Sequence, residues 1–128
     1  RHPTIITERR NSLMEMLIRN DYIMNNPNRK NLKENGFRYN KQMSDSDCDY
    51  YSIRFPCIQY NQNITIEGEI IVNLNSGKIK LNAYDCNKKG CYSPFYLESN
   101  KVYEPIMSKI NNAFSTIFSK FGIQKAGD

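Results

Sequence analysis

Apolar residues change their period twice along the chain, and the changes outline a fold. From Thr4 to Met24, Leu13, Met16, Leu17 and Met24 fall near helical spacing, with Met14 and Ile18 widening the stripe. This predicts an N-terminal helix capped by Thr4. Asn26-Pro27 opens a second element: Asn26 suits an N-cap, and Pro27 suits the first helical position, where its missing N–H is harmless. Gly36 suits the left-handed residue beyond the helix end. Between them lies a short basic helix with Leu32 as its anchor.

A polar loop spans residues 40–49, and then the period becomes two. Tyr51, Ile53, Phe55 and Cys57 point one way; Tyr50, Ser52, Arg54 and Pro56 point the other. Pro56 cannot donate to a ladder, so the strand is expected at an edge or with a bulge. From Ile64 to Leu74 the alternation is cleanest, with Ile71 the one apolar residue on the polar face. Asn75-Ser76-Gly77 supplies a turn, and Ile79, Leu81 and Ala83 continue the apolar face. Matching faces sets Leu74 opposite Ile79, Val72 opposite Leu81 and Ile70 opposite Ala83. Asn87 to Gly90 is a second turn, and Tyr92 to Leu97 reads as a fourth strand interrupted at Pro94. From Pro105, apolar residues from Ile106 to Phe121 recur at three and four, and Gly122 ends this last helix. The tail beyond it is expected to fray.

The expected class is α+β. An N-terminal helix and a short second helix precede a three- to four-stranded antiparallel sheet. A C-terminal amphipathic helix packs on one sheet face. A single compact domain covers 1–128: a basic helical region at 1–43, the sheet at 50–98 and the C-terminal helix at 104–121. This element order resembles that of small α+β adaptor modules such as the globular ends of kinetochore proteins. The likeness is one of element order, and fold likeness carries no function.

Composition narrows the classes. The 128 residues include 39% hydrophobic and 24% charged positions, enough for one modest core. No apolar run approaches the ~18 residues of a membrane helix. The chain begins at Arg1, which reads as a mature product or a fragment of a larger protein. Net charge is +5 and sits entirely in residues 1–43, which hold nine Lys/Arg against four Asp/Glu. Such asymmetry points to a solvated helical face or to a polyanion or membrane-surface contact.

Catalytic resources are few. The single histidine, His2, lies at the terminus, which argues against the usual hydrolase triads. The six glycines never cluster, so no phosphate loop or dinucleotide fingerprint exists. Asp45, Asp47 and Asp49 resemble the start of a calcium loop but lack its glycine and closing glutamate. Glu67 and Glu69 share one exposed strand face and are expected to pair with Lys78 and Lys80 across the hairpin. No cofactor or metal is expected. Cys86 and Cys91 bracket a turn and are placed for a disulfide, while Cys57 reads as a small buried hydrophobe. Asn63-Ile64-Thr65 forms a glycosylation sequon.

The sequence reading is a non-enzymatic protein–protein interaction module that docks a partner through its open sheet face or an edge. Tyr50, Arg54, Ile71 and Tyr84 are its candidate contacts, since tyrosine buries area at little entropic cost. A second reading is a secreted, disulfide-bonded ligand-binding domain. A third is nucleic-acid or anionic-membrane binding through Arg29, Lys30, Lys33, Arg38 and Lys41. A free edge also allows a homo-oligomer. Localisation stays open, with intracellular slightly favoured over secreted.

Overall fold

The computed structural model describes residues 17, 20–59, 64–97 and 104–126. Among them the chain is α+β, built on a seven-stranded antiparallel sheet and a C-terminal helix. The strands are β1 (Tyr22–Met24), β2 (Arg38–Tyr39), β3 (Tyr50–Gln59), β4 (Thr65–Asn73), β5 (Lys78–Asp85), β6 (Gly90–Cys91) and β7 (Ile123–Lys125). Helix α1 is Arg29–Glu34, and α2 is Glu104–Phe121. The sheet order is β2-β3-β4-β5-β1-β7, with β6 also on β5. No helix among the described residues is long and apolar enough to cross a membrane.

Alternation on β3, β4 and β5 decides which face is covered. Phe55, Ile66, Ile70, Val72 and Ala83 are buried on one face, against Met107, Ile110 and Phe114 of α2. The aromatic spacing of α2 gives each ring a partner elsewhere in the chain. Phe114 meets Phe55 edge-on at 5.0 Å and stacks on Phe95 at 5.5 Å. Phe118 meets Tyr22 at 4.8 Å, and Phe121 meets Phe37 at 5.0 Å. Offset and edge-on rings of this kind add specificity to ordinary burial.

Several expectations need correction. The N-terminal helix does not reach Met24. Tyr22 and Met24 alternate inward as a strand, paired with Ile79 and Lys78 on one side and Ile123 to Lys125 on the other. Thr4 and its helical stripe lie outside the described residues, apart from Leu17, which is buried. Helix α1 starts later than expected: Asn28, not Asn26, is the cap, its Oδ1 accepting from Asn31 N–H at 3.1 Å. Asn26 instead takes a positive φ of 50° in the preceding turn.

Strand β3 is not a free edge along its whole length, since β2 pairs with its first half. The anticipated bulge falls between Pro56 and Ile58, where the ladder loses a donor. The hairpin register is two residues away from the face-matching estimate. Val72 opposes Ile79, Ile70 opposes Leu81 and Gly68 opposes Ala83. The Asn73 side chain causes this: its Oδ1 accepts from the N–H groups of Asn75 and Ser76. Gly77 N–H then closes on Asn73 O at 2.8 Å, pulling Leu74 out of the ladder.

Tyr92 to Leu97 is not a fourth strand. Ser93–Tyr96 forms a 3-10 turn, which Pro94 suits, and the strand pairing with β5 covers Gly90–Cys91, followed by one bond from Tyr92 N–H to Ala83 O at 2.9 Å. The tail does not fray after Gly122. Gly122 takes the left-handed φ of 65°, reverses the chain, and β7 returns to pair with β1.

Candidate functional site

The face turned away from α2 is organised in cross-strand rows. Register places Ser52, Ile71 and Lys80 in one row, Arg54, Glu69 and Asn82 in the next, and Pro56, Glu67 and Tyr84 in the third. Arg38 of β2 lies opposite Ser52 and joins this face. All four candidate contacts, Tyr50, Arg54, Ile71 and Tyr84, are therefore on one side of the sheet, as alternation required.

They are not equally available. Ile71, expected to be exposed, is 4% exposed. Tyr50 is half-buried, its phenol oxygen accepting from Asn73 Nδ2 at 3.3 Å. Tyr84 is half-buried and committed to Glu69. Arg54 alone keeps an exposed side chain. The surface is less open than the strand pattern suggests: Ile71, between Ser52 and Lys80, and Glu69, between Arg54 and Asn82, are both buried.

The centre of this face is a hydrogen-bonded carboxylate. Glu69 is 9% exposed, and its Oε1 accepts from the Tyr84 hydroxyl at 2.6 Å and Asn82 Nδ2 at 3.1 Å. The expected pairing with Lys78 and Lys80 does not occur, because β5 sets Asn82 and Tyr84 beside the two glutamates. Glu67 instead takes Arg54, with Nη2 to Oε1 at 3.0 Å. Arg54 also lies over the Tyr84 ring, 4.1 Å from its centroid. Burial, then the bond to Glu69, pushes the Tyr84 hydroxyl well above its ordinary range. Tyr96 ties the edge: its oxygen accepts from Ala83 N–H at 3.1 Å, and it lies 3.2 Å from Asn82 Oδ1.

Arg54 separates two depressions. One, of about 420 Å³, is lined by Gly36, Arg38, Ser52, Arg54 and Glu69. The other, of about 480 Å³, is lined by Arg54, Tyr84, Cys86, Lys89 and Cys91 with their neighbours. Arg38 is exposed and makes no ion pair with a described residue. Beside it, Tyr39 is 50% exposed and rests edge-on against Tyr51.

The basic candidates divide into two groups. Arg29, Lys30 and Lys33 line one depression on α1, where Arg29 is bonded to the Tyr51 phenol at 3.0 Å and to Asp49 at 2.9 Å. Arg38 stands on the sheet face, and Lys41 in the following loop. The acidic loop serves structure: Asp45 Oδ1 accepts from the N–H groups of Asp47 and Cys48, which holds its carboxyl below the usual range.

All four cysteines are unbridged. Register sets Cys91 opposite Tyr84 rather than Cys86. Cys57 is half-buried against the core, and desolvation pushes its thiol up to about 12. Asn63 lies outside the described residues, as does His2. Sequence reasoning missed the roles of Glu69 as a buried carboxylate, Arg38 as a sheet-face residue and Tyr96 as an edge tie. The alternation of β4 placed Glu69 on the correct face, but only its neighbours on β5 reveal that it is bonded.

No protein family matches the chain, and neither a curated protein nor a solved structure matches it. Its function must be argued from these residues.

Proposed function

We propose that the chain is a non-enzymatic protein-interaction module that docks an acidic partner segment on the arginine-lined part of its open sheet face. The observation that carries this is the placement of Arg38 and Arg54 on adjacent strands, diagonal to one another because Arg38 opposes Ser52, where both line one groove of about 420 Å³. Arg54 is held ready by Glu67 and the Tyr84 ring, with its side chain still 48% exposed. Arg38 has no anionic partner among the described residues. Guanidinium forks recognise carboxylates in a bidentate geometry, and pre-positioning one lowers the entropic cost of binding. The net charge of +5 favours encounter with an acidic segment.

Fluorescence anisotropy with a labelled acidic peptide tests this. Arg38→Ala and Arg54→Ala should each weaken binding about tenfold, whereas a Lys30→Ala/Lys33→Ala variant should bind nearly as well as the parent. The reverse ranking would move the site to α1 and overturn the proposal.

A further inference from the structure

The groove between Arg38 and Arg54 has an uncommon floor. Glu69 is nine-tenths buried, and a buried carboxylate usually has a cationic partner. Here both hydrogen bonds come from neutral donors and both fall on Oε1. No described residue bonds Oε2. Arg54, directly opposite in the register, closes on Glu67 instead. Glu69, whose second oxygen no described residue bonds, therefore lines a groove that Arg38 and Arg54 also line. The groove thus sets the Glu69 carboxylate beside two guanidinium groups, that of Arg54 shared with Glu67 and that of Arg38 without an anionic partner among the described residues.

Resting on the reading of an acidic partner, we infer that the docked segment carries a lysine between its acidic residues. The lysine ammonium seats on Glu69 Oε2 while flanking carboxylates bridge to Arg38 and Arg54. A purely acidic segment would leave Glu69 desolvated beneath like charge, which is costly in a site of reduced dielectric. A purely basic segment would meet Arg38 and Arg54. The alternating pattern satisfies all three groups and makes the groove selective by repulsion as well as attraction.

The probes are two synthetic fluorescent peptides, identical acidic sequences with either lysine or norleucine at the centre. Norleucine keeps the aliphatic stem and removes the ammonium. The lysine peptide should bind at least about tenfold more tightly to the unmodified chain. Glu69→Gln, which preserves shape, should bring the two affinities together, with folding checked by circular dichroism. Equal affinities on the unmodified chain, lost together on Arg38→Ala, would overturn the lysine seat and leave acidic docking standing. Binding of neither peptide would overturn both. Because the decisive comparison varies the peptide, it holds whether or not the Glu69 variant folds.

Discussion

Arg54 and Glu69 face each other directly across the β3–β4 ladder, but they form no ion pair. The Arg54 guanidinium runs diagonally to Glu67 and lies on the Tyr84 ring, while Glu69 turns to Tyr84 and Asn82. This crossed arrangement leaves about half of the Arg54 side chain in solvent and Glu69 Oε2 without a bond to any described residue. Tyr84 thus ties the sheet face together, holding Glu69 by its hydroxyl and Arg54 by its ring.

Arg54→Lys tests whether the planar group matters or only its charge. Lysine cannot reproduce both the stack on Tyr84 and a forked contact. The substitution should change stability by less than about 1 kcal/mol, since exposed ion pairs contribute little. Acidic-peptide affinity should fall about threefold or more by anisotropy, given what a lost charge-assisted contact is worth. Unchanged affinity would show that Arg54 acts as a point charge.

Tyr84→Phe removes one of the two donors to the Glu69 carboxylate. Urea unfolding should show a loss of about 1–2 kcal/mol, because the hydroxyl bonds a charged and buried acceptor. A change below roughly 0.3 kcal/mol would mean that the carboxylate is satisfied without it. The same hydroxyl has a raised pKa, so its stabilising contribution is complete below the unfolded value of about 10. It fades only as pH climbs above that.

The broad architecture was legible because three signals are local. Alternation from Ile64 to Leu74, the three-and-four spacing from Ile106 to Phe121, and the glycines at 36 and 122 each report the backbone where they lie. The misses came from contacts distant in sequence. Tyr22–Met24 has too few residues to show a strand period and becomes one through β5 and β7. The hairpin register slipped because face matching is blind to shifts of two, and the Asn73 side chain chose among them. Ile71 and Glu69 were placed on the correct face. Alternation reports the face a side chain takes and not how much of it is covered. The candidate site was legible in part: Arg54 and Tyr84 were both foreseen, whereas Arg38 was assigned to a helical basic patch that the fold divides.

Gly68 is required by close packing rather than by backbone freedom. A Cβ at this position would stand 2.7 Å from Phe55 Cζ and 2.9 Å from Phe114 Cζ. Both rings are fixed in the core, edge-on to each other. Gly68→Ala should cost about 1–3 kcal/mol in denaturant unfolding, as overpacked cores do. A neutral outcome would mean that the Phe55–Phe114 pair is looser than its geometry indicates.

Cys57 should be inert in the native state. Burial pushes its thiol from the ordinary 9.0 to about 12, so the thiolate is scarce at pH 8. A disulfide reagent should modify exposed Cys91 readily and Cys57 only after denaturant is added. The raised value also sets a pH dependence. Stability from keeping Cys57 protonated is complete below about 9 and is lost as pH rises towards 12. A Cys57→Ala variant should therefore lose less stability between those limits than the parent. Rapid native labelling of Cys57, or identical alkaline slopes, would contradict its placement.

The most direct test of the account is amide chemical-shift mapping of the chain titrated with the lysine-centred acidic peptide. The docking surface predicts the largest shifts at Arg38, Tyr39, Ser52, Arg54 and Glu69, with little change at Arg29, Lys30 and Lys33. Shifts concentrated on α1, or none anywhere on the β2–β3–β4 face, would contradict it.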